Sequence, residues 1–153
     1  VLTESSLACM GIINEEEFER VFANEDVKSY FNYEKKPTPE NFIYVQEIIQ
    51  RAKKNVLNFL INYPQEYDCS SYQETATTIL AGIKKNGKPI KIVVRPSDGD
   101  KIYIYYQSEL DTMDYEDYEL WVDNNQDEPR QLTFGKLLKI TGVKVIPLQK
   151  IFY

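Results

Sequence analysis

The chain holds 153 residues, 42% hydrophobic and 27% charged, the balance of one soluble globular domain rather than a disordered or membranous one. Lys+Arg 18 against Asp+Glu 24 leaves a net charge of −6, which argues against a generally basic nucleic-acid binder but leaves room for a local basic face. Histidine is absent, so Ser–His and Cys–His dyads, HNH-type nucleases, His-ligated zinc and any histidine general base are excluded. The two cysteines, Cys9 and Cys69, lie far apart with no CxxC spacing. That pattern excludes a zinc cluster and points to reduced thiols in a cytoplasmic protein. No stretch approaches the ~18 apolar residues of a transmembrane helix, and no basic-then-apolar leader is present, so no membrane partner is expected. The chain begins Val1-Leu2-Thr3, which suggests a piece of a longer protein.

Residues 2–10 read as a short helix closed by Gly11, a residue suited to the left-handed conformation. Asn14-Glu15-Glu16-Glu17 offers an N-cap with Glu three residues on, and Phe18, Val21 and Phe22 give a narrow apolar stripe. Residues 34–39, with two prolines, look like a linker. The chain therefore divides into an N-terminal helical extension, residues 1–36, and an α+β domain, residues 37–153. A long helix over 39–62 follows: Thr38 caps it, Pro39 suits its first position, and Phe42, Val45, Ile49, Ala52, Val56 and Leu60 recur at three and four. Pro64 stops it.

Strands at 75–84, 89–96 and 101–107 are punctuated by Asn86-Gly87 and Asp98-Gly99, pairs whose tolerance of positive φ favours tight hairpins. A meander of three antiparallel strands is the natural expectation. In its second strand Ile90, Ile92 and Val94 face one way, Lys91, Val93 and Arg95 the other. Ser108 caps a helix over 109–116, residues 118–123 form a fourth strand, Thr133 caps a helix to 140, and 143–148 is extended.

Helix, three strands, helix, strand is the αβββαβ order of the restriction-endonuclease-like, or PD-(D/E)xK, core. Residues 91–123 resemble the C-terminal domain of the NO VEIN family through Ile92-Val93-Val94-Arg95, Ser97-Asp98-Gly99-Asp100, Lys101-Ile102-Tyr103-Ile104, Ser108-Glu109 and Tyr118-Glu119-Leu120-Trp121-Val122. Residues 82–148 are also similar to the C-terminal region of large bacterial proteins with a sacsin-like, Hsp90-type ATPase domain. The similarity rests on Arg95-Pro96-Ser97-Asp98-Gly99, Tyr115-Glu116-Asp117, Glu119-Leu120-Trp121 and Leu138-Lys139-Ile140-Thr141-Gly142. The resemblance implies a nuclease-derived module in a larger bacterial protein, with the other domains of that protein as partners.

Metal-dependent phosphodiester cleavage needs clustered carboxylates and a nearby cation. In the resembled family Glu and Lys stand two apart on one strand; here those positions hold Val93 and Arg95, and the preceding strand, 77–84, contains no acid. Valine cannot hold a hard cation, and arginine is a fixed charge rather than a tunable amine. The expectation is therefore a degenerate, non-catalytic domain with no catalytic residue, metal or cofactor. Glu47, Asp68, Glu74, Asp98 and Asp100 are the acids through which a migrated metal site would have to work. Arg95 remains either a fork for a phosphate or, the favoured reading, a structural pair for an acid such as Asp98 or Asp100.

Residues 84–101 carry six bases (Lys84, Lys85, Lys88, Lys91, Arg95, Lys101) against two acids, while 109–128 carry nine acids and no base. A nucleic-acid face built from Arg95, Lys84, Lys85, Lys88 and Lys91 is one reading. Neutralisation of one segment by the other across the surface, or plain solvation of both, is the favoured one. The twelve tyrosines, with Trp121, read as strand formers before they read as base-stacking platforms.

Overall fold

A computed structural model describes residues 2–31, 33–97, 101–104, 115–137 and 143–145. Among these residues the architecture is α+β: four short helices, one long helix, and short strands gathered into three sheets. Helices α1 (Glu4–Cys9), α2 (Glu15–Phe22) and α3 (Glu25–Tyr30) begin in turn at Thr3, Asn14 and Asn24, each of which caps its helix through a side-chain oxygen. The third is not foreseen by the apolar pattern; its signal is local, Asn24 Oδ1 accepting from the amides of Asp26 at 2.8 Å and Val27 at 3.3 Å. Gly11 closes the first turn of structure at φ 73°, as expected.

Helix α4 (Pro39–Ile61) is the axis of the molecule. Asn41 Oδ1 accepts from the Thr38 amide at 2.8 Å, and Pro39 occupies the first turn, where its missing N–H costs nothing. The apolar stripe then serves two cores in succession. Phe42, Val45 and Ile49 pack with α1–α3, among them Leu7, Phe18, Phe22 and Phe31. Ala52, Val56 and Leu60 pack with the sheet residues Ile92, Val94 and Trp121. Fully burying each Val, Leu, Ile or Phe side chain contributes about 1.5–3 kcal/mol, so α4 ties the helical N-terminus to the sheet through one continuous stripe.

The central sheet has the order β2 (Ile79–Leu80), β5 (Lys91–Pro96), β7 (Tyr118–Asp123), β8 (Arg130–Gln131). A separate sheet joins β1 (Tyr67–Asp68), β3 (Lys84–Lys85) and β4 (Lys88–Pro89). Its hairpin turns at Asn86, φ 52°, and Gly87, φ 80°, the two left-handed residues that this turn demands. Strand β7 has the bounds expected from sequence. It lies parallel to β5 from Lys91↔Tyr118 to Pro96↔Asp123.

The expected three-strand meander is corrected. β2 does run antiparallel to β5, Ile79 opposite Val93, but β6 (Ile102–Ile104) pairs in parallel with β9 (Val143–Val145) as a two-stranded ladder. The reason is edge occupancy: β5 has two hydrogen-bonding edges, and β2 and β7 fill them. Helix α5 (Phe134–Leu137) starts at Thr133, whose Oγ1 accepts from the Lys136 amide at 3.2 Å. Of the helix expected over 109–116, residues 109–114 lie outside the described residues and 115–116 belong to the turn before β7; the Asp98-Gly99 turn and residues 138–142 and 146–148 also lie outside them. No helix among the described residues is long and apolar enough to cross a membrane.

Candidate functional site

Strand β5 carries the two positions on which the nuclease comparison turns. Its alternation is as the sequence implies, Ile92 and Val94 facing α4 and Val93 the other side. That other side is not an open face. Val93 packs with Ile102, Ile104, Leu120 and Leu132 in a core of its own. Arg95 is 4% exposed, and its Nη1 donates to the Tyr103 carbonyl oxygen at 2.5 Å. The guanidinium lies beside Gly11, where a Cβ would stand 3.4 Å from Arg95 Nε, an ordinary contact distance, so it is the positive φ and not the arginine that favours glycine there. Arg95 is thus engaged in the interior rather than offered to solvent.

The other predicted basic residues divide. Lys84, Lys88 and Lys91 are exposed on or beside the β3–β4 hairpin and make no salt bridge among the described residues. Lys85 turns inward: its Nζ donates to Glu119 Oε2 at 2.6 Å and stands 3.4 Å from Glu66 Oε1. The basic and acidic segments therefore meet among the described residues at one part-buried pair, Lys85–Glu119, while Lys84, Lys88 and Lys91 stay solvated. Of the alternative acids, Glu47 and Glu74 are exposed, and Asp68 accepts from the amide and hydroxyl of Ser70 in a local turn. Asp98 and Asp100 lie outside the described residues. Among the described residues, no three His, Cys, Asp or Glu side chains converge as metal ligands would.

Sequence reasoning missed two buried carboxylates, both on β7. Glu119, 4% exposed, has every contact a buried carboxylate needs. Tyr67 Oη donates to its Oε1 at 2.7 Å, Trp121 Nε1 to the same oxygen at 2.9 Å, and Lys85 to Oε2. Burial and then the Glu119 hydrogen bond push the Tyr67 hydroxyl far above the usual phenol range. Burial alone would lower the Lys85 ammonium, but Glu119, then Glu66, outweigh it and the net shift is upward. This is an ion pair with its remaining valences satisfied, linking the small β1–β3–β4 sheet to the central one.

Asp123, 3% exposed, ends the same strand differently. Its Oδ2 accepts from Asn55 Nδ2 at 2.9 Å, while Oδ1 is buried with no hydrogen-bond partner among the described residues. Asn55 Nδ2 also reaches Asn125 Oδ1 at 3.0 Å. The Asn124 side chain folds the following loop, accepting at 2.9 Å from the amides of both Gln126 and Asp127. One further buried charge, Lys53 on α4, is 1% exposed and donates to the carbonyls of Thr75 at 2.9 Å and Thr77 at 2.7 Å. Desolvation lowers its ammonium below the ordinary range, against a smaller opposing pull from Glu74. The signal for these residues was available in outline: Glu119 and Asp123 share a parity with Trp121 on a strand whose neighbours are apolar.

Comparison of the chain with protein-family models, curated proteins and solved structures returns no match.

Proposed function

We propose that the chain is a non-catalytic interaction module, a degenerate restriction-endonuclease-like domain serving a larger cytoplasmic, bacterial protein. The observation that carries this reading is the fate of the Val93 and Arg95 positions. Both are buried, Val93 in an apolar core and Arg95 against a main-chain carbonyl, so the strand face that would hold metal and phosphate in a nuclease is interior. Helix α4 against the sheet and the parallel β5–β7 pair are compatible with that core, although β6 departs from a simple meander. The partner is another domain of the same protein, an Hsp90-type ATPase domain being the candidate that the sequence resemblance supplies.

A second reading, nucleic-acid binding without cleavage, draws on the exposed Lys84, Lys88 and Lys91. One gel separates the two. Supercoiled plasmid incubated with the chain at low salt, with and without Mn²⁺, should be neither nicked nor shifted. A shift that moderate salt abolishes and Lys84→Ala/Lys88→Ala removes would favour the second reading, because phosphate contacts weaken steeply with salt. Mn²⁺-dependent nicking would contradict both.

A further inference from the structure

The parallel strands β5 and β7 end side by side, Pro96 opposite Asp123, and the carboxyl ends of parallel strands are where open sheets commonly take ligands. Here a pocket of ≈ 410 Å³ opens between α4 and the 124–129 loop. Its chemistry comes from Asn55, Phe59, Asp123, Asn125, Asp127 and Glu128, and no basic side chain lines it. Three carboxylates without a cation are not by themselves a site. The independent observation is the buried Asp123 Oδ1, which lacks a donor although Oδ2 has one. A desolvated carboxylate oxygen left unpaired destabilises the fold, a cost that a cationic hydrogen-bond donor entering the pocket would offset.

We infer that this pocket takes a guanidinium group, the side chain of an arginine in a basic segment of a partner protein. The inference rests on the interaction-module reading and names the chemistry of its partner. The pocket is much larger than a bare ion requires, and its acceptors are spread along the wall rather than converging on a point. A planar fork with five donors can reach several such acceptors at once. Phe59, held against Trp121 at a centroid distance of 5.6 Å and Tyr63 at 5.2 Å, supplies an aromatic wall for the flat cation. The polar lining is preformed, since Asn124 Nδ2 donates to Asp127 Oδ2 at 3.1 Å while Asn55, from α4 like Phe59, ties Asp123 to Asn125. The net charge of −6 favours approach by a basic segment.

The test is an NMR titration of the whole ¹⁵N-labelled chain with a short capped peptide carrying one arginine, and with its citrulline and lysine counterparts. The arginine peptide should shift the side-chain amide resonances of Asn55 and Asn125, and high salt should weaken it. The citrulline and lysine peptides and the Asp123→Asn and Asp127→Asn variants should each bind at least about tenfold more weakly, the scale of one lost charge-assisted contact. Equal binding of the citrulline peptide, or unaltered binding by both variants, would overturn the assignment. Equal binding of the lysine peptide would overturn the guanidinium, and binding of agmatine as tight as that of the arginine peptide would overturn the partner segment. Plasmid nicking tests the module reading on a different part of the surface, so the two claims can fail separately.

Discussion

Glu119 and Asp123 lie four residues apart on one strand, on one face, and both are almost wholly buried. Glu119 meets a phenol, an indole and an ammonium; Asp123 meets one carboxamide, and one of its oxygens meets nothing among the described residues. Burial of charge is thus not one phenomenon in this molecule. Where every valence is filled, the carboxylate acts as a bolt between two sheets. Where a valence is open beside a pocket, the fold carries a cost that a ligand can relieve.

The largest expected effect comes from drawing the bolt. Glu119→Ala leaves Tyr67 and Trp121 without their acceptor and Lys85 with Glu66 alone, and should cost about 3–5 kcal/mol, read as a fall in the urea midpoint. A loss below about 1 kcal/mol would mean the network contributes little beyond packing. Tyr67→Phe removes one donor to a charged acceptor and should cost about 1.5–3 kcal/mol by the same measurement.

That variant also sharpens the pH behaviour. Tyr67 keeps its proton in the fold far beyond the usual phenol pKa, so above about pH 10 the unfolded chain releases a proton that the folded chain retains, and stability falls. Lys85 acts in the same direction: its stabilisation is complete below the ordinary ammonium pKa and is lost as pH rises through its raised value. Chemical denaturation across the alkaline range should show this decline in the parent and a shallower one in Tyr67→Phe. Identical slopes would remove Tyr67 from the account.

Lys53 is the buried cation against which both carboxylates can be measured. Its partners are carbonyls of Thr75 and Thr77, residues that solvent partly reaches, so Lys53→Met should cost only about 1 kcal/mol. Because its folded pKa is depressed, stability rises with pH between that value and the ordinary ammonium range, and Lys53→Met should abolish the rise. A loss as large as that of Glu119→Ala would place Lys53 among the bolts.

Local chemistry was legible wherever it was self-contained. The caps at Asn14 and Thr38, the stripe of α4, the Asn86-Gly87 turn and the bounds of β7 all depend on residues a few positions apart. Pairing was not, because which strand occupies the second edge of β5 depends on a segment 27 residues away, and the displacement of β6 to β9 leaves no local mark. The site suffered for the same reason. Arg95 and Lys85 read as a basic face until Tyr103, eight residues on, and Glu119, 34 residues on, are brought to them. The vacancy at Asp123 depends on what is not beside it, which composition cannot record.

The most direct test of the contrast between the two carboxylates is urea unfolding of Glu119→Gln and Asp123→Asn side by side. Glu119→Gln turns an amide toward the Lys85 ammonium and should lose about 3 kcal/mol. Asp123→Asn keeps an acceptor for Asn55 and removes a half-paired charge, so its stability should stay within about 1 kcal/mol of the parent while binding of the arginine peptide is lost. Equal, large losses in both variants would contradict the account, since Asp123 would then be a second bolt rather than the floor of a site.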